Sequence, residues 1–340
     1  MRKIVIFDEY NEIDIKPLNL LQKYIQLTEK DIKTFFLKDN NVKNCNCPGC
    51  HEKEKTSSFS KFGMRYVECA NCSTLYISPR PDDKSLNNYY KKSTARKFWH
   101  SELLKCTRQK RQEKIIKPRF QWILDSTQEY LPEASHIVNV NTEQYGYIEE
   151  LMNNQSFKRK TLLNPYIYLD NVKLSAGINV VNTPLYTNVL KEEVDVITTF
   201  EVADRVADID KLFKALYSML KLNGLCFMTD ILISGFDLQT LWDKAQNIFP
   251  PDRLNVFSVE GLRALLKRHN FECLEFSTPG ILDVEIVEKA IQHNSQIKVP
   301  KFIEYMLRNR SGESKRLFQE FLQENLLSSY ARIIIRKNKN

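Results

Sequence analysis

Val194-Asp195-Val196-Ile197-Thr198-Thr199-Phe200-Glu201-Val202 is the stretch from which the fold can be read. Its first five residues, rich in β-branched side chains, read as a strand. A helical pattern follows from Asp208 to Leu222, closed by Asn223-Gly224, residues suited to a helix stop. Leu225 to Asp230 reads as the next strand. The same rhythm extends both ways. Upstream, Ile137-Val138-Asn139-Val140 reads as a strand and Thr142 to Met152 as a helix. Thr161-Leu162-Leu163-Asn164 and Asn179-Val180-Val181-Asn182 are further strands. Downstream, Ser258 caps a helix running through Arg268, Phe271 to Phe276 is a strand, Val284 to Gln292 a helix, and Tyr330 to Ile335 a last strand. Strands alternating with helices predict an α/β fold: a doubly wound, mostly parallel sheet covered on both faces.

Ahead of this region stand two cysteine pairs, Cys47-Pro48-Gly49-Cys50 and Cys69-Ala70-Asn71-Cys72, with eighteen residues between them. Two thiolates on each tight turn, brought together by a hairpin, supply four donors for tetrahedral zinc at ~2.3 Å. Arg65-Tyr66-Val67-Glu68 is the expected hairpin strand. Four protein ligands leave no open position, so the expected zinc is structural. The alternatives are buried free thiols and a redox pair, for which one pair would suffice. Cys45 is near enough to compete as a ligand. Cys106, Cys226 and Cys273 read as core fillers.

The chain has 340 residues, 42% hydrophobic and 27% charged, enough for one large domain and a small one. Its first ten residues reach acidic side chains too soon for a signal-peptide core, and no apolar run approaches about 20 residues. The expected compartment is the cytoplasm, where clustered cysteines favour metal over disulfides. The net charge is +8, yet Lys91 to Arg119 alone holds eleven basic and two acidic residues. Apolar residues at helical spacing make a solvated helix face the plainer reading; phosphate or nucleic-acid attraction is the other. Residues 1–43 read as a short strand and helices, one beginning after Pro17 and a second opened by a Thr28/Asp31 capping pair. The expected segments are 1–43 helical, 44–82 zinc ribbon, 83–130 basic helical connector, and 131–340 the α/β domain with C-terminal helices and a last strand.

The run from Cys69 and Cys72 through Ser73-Thr74-Leu75-Tyr76-Ile77-Ser78-Pro79-Arg80-Pro81 to Tyr89-Tyr90 resembles the front of a bacterial group of class I S-adenosylmethionine-dependent methyltransferases. In these a zinc ribbon ends in an Asn/Ser-Pro-Arg-Pro segment and a helix leads into the catalytic domain. The resemblance continues through Asp195 to Val202, Leu220 to Gly224, Phe257 to Leu262 and Asn270-Phe271, covering roughly residues 44–290. It implies a Rossmann-like methyltransferase sheet, S-adenosylmethionine as cofactor, and work among sugar, polysaccharide or secondary-metabolite genes.

Several positions depart from that pattern. The turn after the first strand is Asn141-Thr142-Glu143-Gln144-Tyr145, with no glycine before Gly146, where the backbone should approach the cofactor closely. Asn139 stands where an acidic residue is usual. Asn164 ends the second strand, where Asp or Glu would accept from the ribose hydroxyls. Asp204-Arg205 replaces Glu-His, and Phe249 to Arg253 lacks a histidine often found in that loop. The cofactor-binding positions by equivalence are Asn139, Asn141, Asn164 and Phe200; their chemistry implies a degenerate site that binds S-adenosylmethionine poorly. Asp230 and Glu201 are the candidate catalytic residues. Glu201, Asp204, Asp208 and Asp210 form an acidic cluster that could hold a cation, act as base, or serve a helix N-terminus. His269 reads as a helix-end residue.

Three functions follow. The first is a weak or non-catalytic methyltransferase-like protein of carbohydrate biosynthesis, binding a sugar or nucleotide-sugar ligand or a partner enzyme. The second is an active S-adenosylmethionine-dependent methyltransferase acting on such a sugar. The third, an RNA-binding or RNA-modifying protein, ranks last because the basic segment lacks the aromatic interleaving that stacks bases.

Overall fold

A computed structural model of the chain describes residues 10–37, 42–140, 145–163, 177–181, 190 and 192–339. Helices α1 (Glu12–Ile15) and α2 (Leu18–Phe35) open it. The expected break at Thr28 does not occur. Thr28 Oγ1 donates to the Tyr24 carbonyl within one continuous helix, and the Asp31 carboxylate instead accepts from Ser93 Oγ and the Ala95 N–H. Thr28 and Asp31 are therefore interior residues, and the polar pair ties the helix to the connector. The strand expected near the N-terminus lies outside the described residues.

The ribbon comprises β1 (Val42–Lys43), β2 (Lys55–Lys61), β3 (Met64–Cys69), β4 (Leu75–Ile77) and β5 (Arg80–Pro81). β2 and β3 form a hairpin whose two turn residues, Phe62 and Gly63, both have positive φ, as a tight turn matched to strand twist requires. The connector follows as α3 (Asp83–Lys92), α4 (Thr94–Phe98), α5 (Leu104–Cys106), α6 (Arg108–Arg111) and α7 (Lys117–Tyr130), with wide π-type turns over Trp99–Leu103 and Gln112–Ile116.

The main domain runs β6 (His136–Val140), α8 (Tyr145–Asn153), β7 (Arg159–Leu163), β8 (Ile178–Val181), β9 (Val194–Phe200), α9 (Ile209–Met219) and β10 (Leu220–Ile231). It continues with α10 (Phe236–Leu241), β11 (Asn255–Val256), α11 (Val259–Arg268), β12 (Phe271–Ser277), α12 (Asp283–His293), α13 (Lys301–Asn309), α14 (Gly312–Glu324) and β13 (Tyr330–Lys337). The sheet has seven strands in the order β12-β13-β10-β9-β6-β7-β8. Neighbours from β10 to β8 pair parallel, and β13 runs antiparallel between β10 and β12. The mostly parallel prediction holds.

Alternation along each strand divides the core. Val138, Ile197 and Met228 pack with α9 and α11; Ile137, Val196 and Phe227 face α7 and α8. Helix α9 stops at Met219 rather than at Asn223-Gly224. Leu220 already pairs with Val194, and Asn223 takes its positive φ inside an irregularity of β10.

The ribbon does not stand apart. β11 pairs antiparallel with β4, so the ribbon's sheet reads β11-β4-β3-β2 and is completed by a strand of the main domain. Ile32, Tyr66 and Leu75 share one core with Leu238, Val284 and Leu322.

Candidate functional site

The four cysteines of the two pairs converge. Their sulfurs all lie within 4.8 Å of one another, with Cys47–Cys72 and Cys50–Cys69 each at 3.5 Å. Sulfurs at ~2.3 Å from one tetrahedral ion stand about 3.8 Å apart, so the donor set suits zinc. The two knuckles are built alike. The His51 N–H donates to the Cys47 carbonyl and the Ser73 N–H to the Cys69 carbonyl, both at 3.0 Å. His51 and Ser73, each following the second cysteine, both take positive φ. Cys45 stands aside, its thiol donating to the Ile77 carbonyl. Helix α11 braces the first knuckle: Arg268 donates to the carbonyls of Pro48 and Gly49 and pairs with Asp210 at 2.8 Å.

A second site lies at the C-terminal edge of the large sheet. It is a cleft of about 240 Å³. Asn139, Val140 and Phe200 form its floor, Glu201 is part of its wall, and the segment around Lys16 and the connector residues Arg111 and Arg119 close it from the front. Asn139 is buried. Its Nδ2 donates to Thr198 Oγ1 at 2.8 Å, and its Oδ1 has no partner among the described residues. Phe200 packs edge-on against Tyr147, with the Arg119 guanidinium 4.8 Å above its ring. Asn141 and Asn164 lie outside the described residues.

The two candidate catalytic carboxylates are placed differently. Glu201 lies on the wall, at positive φ. Arg253 Nη2 reaches it at 2.9 Å and Arg205 at 3.6 Å. Burial pushes its pKa up, but Arg253, Arg205 and Arg119 outweigh this and hold it down, to about 2. Such a carboxylate is a weak base near neutral pH. Asp230 is fully buried and is not part of the cleft wall. Burial, reinforced by the negative charge of Asp204, pushes it well above the usual carboxylate range, which favours the neutral form. The acidic cluster divides as well. Asp204 pairs with Arg253 in the interior, Asp208 caps α9 by accepting from the Lys211 N–H, and Asp210 binds Arg268 and His269.

The basic segment is not simply a solvated face. Arg96, Arg111 and Arg119 are only 2%, 7% and 5% exposed. The wide turn at Gln112–Ile116 helps bring Arg111 and Arg119, eight residues apart, to the same cleft. Sequence reasoning missed these two, along with Lys16 and Tyr330. The available signal was the Ile115-Ile116 pair between the arginines, which marks an inward face.

Residues 125–275 match the family model described as a methyltransferase domain. With the seven-stranded order above, this makes the chain a Rossmann-like methyltransferase fold and the protein methyltransferase-like. Among solved structures it is similar to the plantazolicin methyltransferase BpumL in complex with SAH. That match has 11% identity and a TM-score of 0.45, covering 75% of this chain and 94% of that one. An S-adenosylmethionine-dependent methyltransferase from Clostridium acetobutylicum matches at 11% identity and TM-score 0.43, over 66% and 92%. A putative sarcosine dimethylglycine methyltransferase from Galdieria sulphuraria matches at 16% and 0.40, over 70% and 88%. No curated protein matches the sequence. Among the described residues no helix is long and apolar enough to cross a membrane.

Proposed function

We propose that this methyltransferase-like protein binds a carbohydrate-type ligand, a sugar or nucleotide-linked sugar, in the cleft at the sheet's C-terminal edge, and that its methyl transfer from S-adenosylmethionine is weak or absent. Asn139 is the observation that carries this reading. At the end of the central strand it offers a neutral amide already committed to Thr198, where a carboxylate is usual in the group the sequence resembles. The state of the two candidate acids points the same way. Glu201 is ion-paired and hard to protonate, and Asp230 lies off the wall. Cys47, Cys50, Cys69 and Cys72 would hold one structural zinc, joining the ribbon to the strand pair β4–β11.

Isothermal titration of the purified chain with S-adenosylmethionine and with S-adenosylhomocysteine tests the reading. Affinity no tighter than millimolar is expected for both. Micromolar binding would restore an active sugar methyltransferase.

A further inference from the structure

The geometry points to an oxyanion subsite in the cleft, formed by Lys16, Arg111 and Arg119 with the Tyr330 hydroxyl, that takes a phosphate or carboxylate of the bound ligand. It deepens the ligand-binding reading above by naming the ligand's charge.

Three cations meet there, one from the front segment between α1 and α2 and two from the connector, on α6 and α7, and their hydrogen-bond partners are all neutral. Arg111 Nε donates to Thr107 Oγ1 at 2.9 Å and its Nη2 to the Ile15 carbonyl at 2.6 Å. Lys16 Nζ donates to Asn247 Oδ1 at 2.9 Å. Arg119 Nη2 donates to the Tyr330 hydroxyl at 3.2 Å, and its buried Nε has no partner among the described residues. Two carboxylates act on them from nearby, Glu12 on Lys16 and Glu201 on all three, and Glu201 is already engaged by Arg253 and Arg205. Cations held out of water without counter-charge are costly unless something supplies it. Burial lowers the pKa of Arg111 to about 10 and lowers that of Lys16 as well, whereas at Arg119 burial is outweighed by Tyr330 and Glu201, which raise it. An oxyanion would meet the free Nε–H of Arg119 and the charge of all three residues, and charge-assisted hydrogen bonds are the strong kind. It would also link the front segment, through Lys16, to the connector, through Arg111 and Arg119.

The test is calorimetry on the zinc-loaded full chain at constant ionic strength, with inorganic pyrophosphate and glucuronate as probes. At least one should bind the wild type, and the stronger one tells phosphate from carboxylate. Arg119→Gln and Lys16→Met should each weaken that binding about tenfold or more. Lys110→Gln, on the exposed side of α6, should change it by less than about twofold. Arg119 is buried, so the partly buried Lys16 provides the variant less prone to misfold. Binding undiminished in Lys16→Met, or no binding of either probe by the wild type at millimolar concentration, overturns the subsite. So does a loss of S-adenosylhomocysteine affinity in Arg119→Gln with probe affinity intact, because the cations would then serve the cofactor. Tight S-adenosylhomocysteine binding by the wild type alone would sink the weak-cofactor reading and leave the subsite standing.

Discussion

The cysteine knuckles and the cleft are both built at chain turns, but they differ in how their parts are specified. Each knuckle repeats one local device: a C-x2-C turn, a carbonyl-to-N–H bond across it, and a positive-φ residue to close it. Its donors are four identical atoms, and nearly all the information is within four residues. The cleft is assembled from the front segment, the connector, two strand ends and the loop before β11, and among the described residues it leaves buried polar atoms of Asn139, Arg119 and Arg253 without partners. A locally coded site tolerates little change and stays recognisable. A site gathered from distant segments can exchange its chemistry residue by residue while the scaffold persists.

The largest effect that could break this contrast is at the ribbon. Elemental analysis should find about one zinc per chain, and Cys69→Ser or Cys72→Ser should release it. Zinc binding on the order of 10 kcal/mol is also folding energy for such a module, so the ribbon sheet should lose protection from hydrogen exchange, including at Asn255 on the shared strand β11. Full metal retention in the Cys47→Ser, Cys50→Ser double variant would remove the assignment.

Next in size is the arginine that organises the cleft wall. Arg253→Met strands Glu201 and the fully buried Asp204, and should cost about 3–5 kcal/mol in denaturant unfolding. The pH dependence should change with it. Glu201 is depressed from 4.5 to about 2 in the fold, so its contribution is present above pH 4.5 and lost as the pH falls towards 2. A variant whose acid profile matches the wild type would show that the pair is not what holds Glu201 ionised.

A smaller effect tests how tightly the two regions are joined. A Cβ on Gly261 would stand 2.0 Å from Thr74 Oγ1 and 3.1 Å from Cys72 Sγ. Gly261→Ala should therefore cost about 1–3 kcal/mol through overpacking. Gly312, at the first position of α14 with open space around it, is the control: Gly312→Ala should be neutral or stabilise by up to about 1 kcal/mol. Equal melting temperatures for the two variants would mean the ribbon floats on the domain.

Local signals were legible in the sequence, and remote ones were not. The strands from Ile137, Val194, Phe271 and Tyr330, and the Ser258 cap of α11, each follow from pattern or capping within a few residues. The Thr28 break failed because a threonine oxygen can serve an interior carbonyl as readily as a helix end, and only the distant partners of Asp31 decide. The helix stop at Asn223-Gly224 failed because pairing of Leu220 with Val194 ended the helix first. The inward turn of Arg111 and Arg119 was hidden because charge normally marks an exposed face, and their neutral partners come from Ile15 and Tyr330, far away in sequence. The same limit applies to Asp230. A strand-end aspartate can face the cleft or the interior, and only the folded structure, where Asp230 is fully buried off the cleft lining, decides which.

The smallest expected effect is also the one that bears most on function, because it is close to zero. Asn139 is 1% exposed and tied through its amide to Thr198, which Tyr147 also contacts at 3.2 Å, so it cannot turn outward without leaving polar groups unpaired. Asn164, at the end of the second predicted strand, would give a ribose hydroxyl a neutral acceptor rather than a charged one, and hydrogen bonds to neutral groups are the weaker class. With a dissociation constant near 10 mM, 1 mM S-adenosylmethionine would stabilise the fold by only about 0.06 kcal/mol, too little to move a melting curve measurably. Asn164→Asp should sharpen the point by restoring a charged acceptor, improving S-adenosylhomocysteine affinity about tenfold by titration. A clear melting shift in the wild-type chain, or a crystal showing the cofactor seated against residues 141–145, would mean that this turn binds it without the expected glycines, and the contrast with the ribbon would collapse.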